Sequence, residues 1–209
     1  MQEELLPLFP LQVVLLPRTP LPLHIFEERY KQMIAEALRG KTEFGVVQAG
    51  EKGIVNTGCT ASIEKVLKEY ADGRMDILTV GRRRFEIILL NDEKSYLRGA
   101  VEFFDDDPSD PIPPDVRQRV MTAYNDIRTL EEEEPIADSN LADPQLSFLL
   151  AQVVQDLDFR QTLLAIRSEA DRMRRLAEFF PTFTSRRRQL QHVRAVAPTN
   201  GHAKWPPGA

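Results

Sequence analysis

A chain of 209 residues, 42% of them hydrophobic and 28% charged, is long enough to bury a sizeable core in one or two domains. Its formal net charge of −5 and pI of about 5.4 exclude a general cationic coat for nucleic acid. One cysteine, Cys59, excludes an internal disulfide framework and fits a reducing compartment, so a cytoplasmic location is expected. Glu3 and Glu4 stand where a signal peptide would carry basic residues, and prolines interrupt the apolar run behind them. Apolar stretches stay short of the roughly 18 residues that a membrane span needs, so no membrane partner is expected.

Residues 5–40 organise the chain. Pro7, Pro10, Pro17, Pro20 and Pro22 each fix φ and remove a backbone donor, so the apolar run cannot be a helix. Only residues 11–16 are free of proline, and Val13 and Val14 there suit one strand. Beyond Pro22 the period becomes helical: Phe26, Tyr30, Met33 or Ile34, and Ala37 or Leu38 share a face, and Gly40 marks the stop. Phe26 and Tyr30 read as core. Glu28, Arg29, Lys31 and Gln32 point outward, as a solvated or a docking face, with Glu27 and Lys31 at i, i+4 supporting the helix.

Residues 44–48 read as a short buried strand, and 51–57 as a polar loop. Cys59, Ala61 and Ile63 alternate with polar neighbours as in a half-buried strand, and adjacent Val66 and Leu67 suggest a bulge. Asp72-Gly73 predicts a hairpin into a strand over 75–80. A turn is predicted at 81–84, then strands over 85–90 and 96–104. Together these strands suffice for a small antiparallel β-barrel carrying one helix. The acidic, proline-rich stretch 105–114 reads as a linker, which divides the chain into 1–104 and a helical part over 115–194.

In that second part, Val116, Val120, Ala123, Ile127 and Leu130 form one helical stripe, ended by the glutamates at 131–134 and Pro135. Asp143-Pro144 predicts the next helix start, with Leu146, Leu149 or Leu150, Val153 and Leu157 on its stripe. Leu163, Ile166, Ala170, Met173, Ala177 and Phe180 alone would make one long helix. Ser168-x-x-Asp171 resembles a capping-box start, which leaves one helix or two over 158–180. Pro181 is expected to close the segment. Residues 195–209 read as a disordered tail.

No string in the chain carries recognised chemistry. Gly50-Glu51-Lys52-Gly53 lacks the spacing and hydroxyl of a phosphate-binding loop. His24, His192 and His202 lack zinc-ligand spacing, and His24 reads as a loop residue bonded to backbone. Cys59 reads as an inert core thiol. Ser62 and Ser147 read as outer or mixed-face residues. The acidic run at 105–107 reads as solvated linker, without the closing glutamate of a calcium loop. No catalytic residue, cofactor or metal is expected. Arg82, Arg83 and Arg84 are the one compact basic cluster of the first part, joined by Arg74 and Arg98 if the strands pair as expected. They offer an anion or acidic-peptide contact, or a solvated turn. Alternation sends Arg83 and Phe85 one way and Arg82 and Arg84 the other. The absence of interleaved aromatics weakens the case for a single-stranded nucleic-acid site.

The ordered set of LPLFPL (6–11), LPLHIFEERY (21–30), Gly58-x-x-x-x-Ile63, Asp72-Gly73 and Gly81-x-x-Arg84-Phe85, followed by helices, resembles the N-terminal domain of Lon proteases over residues 5–180. The resemblance implies an α+β fold, a PUA-like antiparallel β-barrel with one helix followed by an all-helical bundle, in which two helices meet near Ser168. It implies recognition of polypeptide substrates or partner proteins, with some weak self-association, and no peptidase activity. The 29 residues after Phe180 cannot hold the family's ATPase or protease, so a stand-alone version of the domain is expected. Glu28, Arg29, Lys31, Arg82 and Arg83 are the expected polypeptide contacts. RNA binding is the alternative, since PUA-like barrels in other families read RNA.

Overall fold

The computed structural model of the protein describes residues 5–50, 53–108, 111–132 and 141–196, the last seven by backbone alone. Strands β1 (Leu6–Leu11) and β2 (Pro20–Ile25) precede helix α1 (Glu28–Gly40). Then come β3 (Phe44–Gly50), β4 (Gly53–Glu69), β5 (Met75–Asn91) and β6 (Arg98–Phe104). Helices α2 (Pro114–Leu130), α3 (Leu146–Leu150), α4 (Leu157–Ala165) and α5 (Glu169–Val196) follow, with a 3-10 turn at Ala151–Val153. The fold is α+β with a mixed six-stranded sheet in the order β2-β5-β4-β3-β1-β6, and β6 pairs with β5 as well. The pairings from β5 through β4, β3, β1 and β6 thus return to β5. Only β1–β3 is parallel.

Pro7, Pro10, Pro20 and Pro22 sit inside strands, contrary to the expectation of one strand over 11–16. β2 pairs on one side only, with Pro20 and Pro22 opposite Val80 and Leu78. Alternate residues of an antiparallel strand aim their N–H groups away from the partner, so two prolines spaced by two cost no ladder bond. In β1, the Leu8 N–H reaches Leu97 O at 2.8 Å, which places Pro7 on the β3 side. Pro7 precedes the β3 ladder, which begins at Leu8, and Pro10 lies past the β6 ladder, which ends at Pro7. Residues 12–16 are irregular, with Val14, Leu15 and Leu16 buried.

That buried segment explains why 81–84 is no turn. β5 runs unbroken through Gly81, where a Cβ would overlap the Leu16 carbonyl oxygen. The backbone of the crossing is satisfied by Arg18 N–H to Gly81 O (2.8 Å) and Gly81 N–H to Thr19 O (3.0 Å). β4 likewise runs through the region expected as a loop up to residue 57. The Val66–Leu67 irregularity is present as a register shift between Val66 and Lys68. The Asp72-Gly73 hairpin forms with Gly73 at φ 81°.

Leu8, Val47, Phe85 and Ile87 form a buried cluster of the sheet. Cβ atoms on Gly45 and Gly58 would lie 2.6 Å and 2.5 Å from the Phe85 ring, so these glycines make room for it. α1 buries Tyr30, Met33, Ile34 and Ala37, and Tyr30 meets Phe9 with ring centroids 4.1 Å apart. Its left-handed terminal residue is Lys41 (φ 52°), not Gly40, which is the last helical residue.

Two compact units emerge: Met1–Ser109 with Pro144–Glu169, and Asp110–Asp143 with Ala170–Ala209. The division expected at 105–114 assigns 144–169 to the second part, whereas here that segment groups with the sheet. Residues 105–107 are tied to it: Asp106 meets Arg84 at 2.5 Å, and Asp107 N–H donates to Arg167 O at 2.8 Å. In the second unit, α2 buries Val116, Val120, Tyr124 and Ile127, with Tyr124 in place of the expected Ala123. α5 continues through Pro181, which was expected to end it. The Asp143-Pro144 start is not used, since α3 begins at Leu146 after Gln145. The break between α4 and α5 near Ser168 is present. Residues 133–135 and 197–209 lie outside the described residues.

Candidate functional site

A groove of about 1270 Å³ opens on the first unit between α1, the start of β1 and the end of the β5–β6 pair. Its apolar lining includes Leu6, Ile88, Val101 and Phe103. Two of these are unusually open to solvent for their size, Ile88 at 64% and Phe103 at 39%. The local cause at Ile88 is a register shift between Ile87 and Leu89, which leaves Ile88 without a cross-strand partner and turns it out. Phe103 stands edge-on to Phe85, centroids 6.4 Å apart, and carries the Arg83 guanidinium over its ring at 4.0 Å.

A bonded polar wall closes one side. The Lys94 ammonium donates to Glu36 Oε2 at 2.7 Å and to the Tyr96 hydroxyl at 2.9 Å. Tyr96 donates to the same Glu36 oxygen at 2.5 Å, and Gln32 donates to the other at 3.0 Å. These donors, Lys94 foremost, then Tyr96 and Gln32, hold the Glu36 carboxyl down to about 2. Burial raises the Tyr96 phenol. Arg98 also lines the groove, bonded through Nη2 to Asn91 at 2.8 Å and Glu93 at 3.2 Å. The wall is thus hydrogen-bonded and charge-paired within itself, beside an open apolar floor. Such a surface suits an extended chain whose apolar side chains enter the groove while its backbone stays hydrated.

The expected contact residues are dispersed. Lys31 bonds Glu28 at 2.8 Å and the Asp72 carbonyl at 2.9 Å, which fastens α1 to the β4–β5 hairpin. Its partner is Glu28, not the expected Glu27, which instead pairs with Arg29 at 2.8 Å. Arg82 bonds Glu64 at 2.6 Å and Ser62 at 2.8 Å. Arg84 keeps the expected alternation, since it lies over Phe104 while Arg83 and Phe85 both meet Phe103, but it is in no solvated turn: it is buried, bonded to Leu164 O, Ile166 O and Asp106. Arg74 pairs with Asp72. The basic cluster therefore does not assemble; of the five expected contacts, Arg83 touches the groove lining, over Phe103. Phe26, expected in the core, is 59% exposed and stacks on His24 with centroids 5.9 Å apart. His24 lies on β2 and bonds the Asp76 carboxylate at 2.5 Å, not backbone.

Potential nucleophiles are occupied by structural roles. Cys59 is buried in the sheet, and burial pushes its thiol up to about 12. Ser147, expected on an outer or mixed face, is buried, and its hydroxyl donates to Glu169 at 2.6 Å. Among the described residues, no helix is long and apolar enough to cross a membrane.

Ile88, Phe103, Glu36, Lys94 and Tyr96 were not anticipated as site residues. A signal for Ile88 exists: four successive apolar residues at 87–90 cannot all face one side of a strand. Nothing local in the sequence joins Glu36 to Tyr96, 60 positions apart.

Residues 5–180 match the family described as the ATP-dependent protease La (LON) substrate-binding domain. Curated relatives include the Lon protease of Parabacteroides distasonis, 32% identical over 114 residues, and Lon protease 1 of Hydrogenovibrio crunogenus, 26% identical over 136. These matches cover 50% and 62% of the chain but only 14% and 17% of the relatives. Two solved structures share the fold. The Lon N-terminal domain protein of Xanthomonas campestris has a TM-score of 0.67 at 24% identity, covering 84% of this chain and 98% of that one. The N-terminal domain of the Mycobacterium avium complex Lon protease has a TM-score of 0.63 at 16% identity, covering 85% and 98%. Sequence match and fold together place the chain in the family of the Lon protease substrate-binding domain.

Proposed function

We propose that the protein is a non-catalytic, cytoplasmic module that recognises unfolded polypeptide, and that the groove beside Ile88 and Phe103 is where it does so. The observation that carries the reading is an open apolar floor next to a self-neutralised polar wall. A floor of this kind selects for exposed apolar side chains without demanding one sequence. The buried states of Cys59 and Ser147 support a binding role over a nucleophilic one. The closed ring of strand pairings supports a PUA-like barrel as the scaffold.

The test is capture of a reduced and alkylated, permanently unfolded protein, with its native form as control. Ile88→Asp and Phe103→Asp place a charge on the floor without touching the polar wall. Each is expected to weaken capture at least tenfold with the circular-dichroism spectrum and thermal midpoint little changed. Equal capture by wild type and both variants would remove the groove from the mechanism. RNA serves as a second probe, although divergence of Arg82, Arg83 and Arg84 takes away the strongest feature for that alternative.

A further inference from the structure

Residues 157–180 contain neither proline nor glycine, and the stripe from Leu163 through Ile166, Ala170, Met173 and Ala177 to Phe180 stays in phase. The backbone nonetheless leaves the helix after Ala165 and re-enters at Glu169, with Ile166 extended at φ −69°, ψ 128°. An uninterrupted helix would pass the N–H groups of residues 168, 170 and 171 to the carbonyls of 164, 166 and 167. Each of those three carbonyls is held by another part of the first unit. Arg84 Nη1 donates to Leu164 O at 3.1 Å and to Ile166 O at 2.7 Å. The Asp107 N–H donates to Arg167 O at 2.8 Å.

Arg84 is well anchored for this task. It is 2% exposed, its Nη2 meets Asp106 Oδ1 at 2.5 Å, and its guanidinium lies over Phe104 at 4.6 Å and Phe148 at 5.4 Å. Arg167 adds a second tie, reaching Glu86 at 3.5 Å and the Phe104 ring at 4.4 Å. The break therefore coincides with a set of tertiary bonds that compete, acceptor by acceptor, with helix propagation.

We propose that residues 163–169 form a two-state hinge, held broken by Arg84 and Asp107 and becoming one helix through residue 180 when they let go. Ser168 with Asp171 marks the same point as a local start signal, and the test separates the two causes. The carbon-13 α shifts of Ile166, Arg167 and Ser168 in the full-length chain report the backbone state directly. Wild type is expected to give non-helical shifts at these residues. Arg84→Met is expected to move all three to the helical side while the sheet resonances keep their dispersion. Asp107→Pro removes the donor to Arg167 while keeping the Arg84 side chain, its ring also restricting the backbone of Asp106, and is expected to give a smaller shift of the same sign at Arg167 and Ser168. If Arg84→Met does not fold, Asp107→Pro decides alone. Unchanged shifts in the folded variants, or loss of order over 157–169, would overturn the proposal. So would a helical shift in Ser168→Ala with Arg84 intact, because the local cap would then be what sets the break.

Discussion

Glu36 shows how much one carboxylate takes on when four side chains converge. Three donors hold its proton affinity at about 2, against an ordinary value of 4.5. A folded value below the unfolded one means the stabilisation is complete above about pH 4.5 and lost as pH falls through about 2. Glu36→Gln is therefore expected to cost roughly 1 kcal/mol or less at neutral pH, since the wall is partly solvated. The gap to wild type should close as the pH is lowered from 5 to 2, as measured by urea denaturation at stepped pH. Gly81 shows the opposite economy, a residue defined by what it lacks. A methyl group there meets the Leu16 carbonyl oxygen, which is backbone and cannot swing away. Gly81→Ala is expected to destabilise by about 3 kcal/mol, read from the denaturation midpoint, because the buried 14–16 segment must lift off β5.

At the scale of elements, α1 ends on a left-handed lysine although a glycine stands next to it. Lys41 holds φ 52°, and its N–H closes on Ala37 O. Lys41→Gly is expected to raise stability by about 0.5–1 kcal/mol in thermal melts, since only the backbone conformation is at stake. The position of this cap was not legible because Gly40 carries the stronger propensity, and tertiary packing of Ala37 set the phase instead. Elements with a local signal were readable: α1, the Asp72-Gly73 hairpin and the α2 stripe; the alternation around Cys59 found a strand but not its burial, since Thr60 is as buried as Cys59 and Ala61. Elements defined by a partner were not. Pro7, Pro10, Pro20 and Pro22 read as strand breakers until it is known which side of each strand carries a ladder. Gly81 reads as a turn until Leu16 is placed against it. The groove was hidden for the same reason: Ile88 is outward only because of a bulge, and Glu36 meets Tyr96 only after the sheet has closed.

For the molecule as a whole, the strand pairings run from β5 around to β5 again, so five of the six strands find partners on both sides. β5 serves three neighbours along its 17 residues, which is why its register shifts matter more than its composition. Closure leaves β2 as the strand with one free side, and there the outward row of N–H positions falls on Pro20 and Pro22. Were the protein to handle unfolded clients as proposed, it would run a standing risk of being recruited into their aggregates by strand addition. Two missing amide hydrogens on its open flank deny an incoming β-segment the donors it would need to zip on.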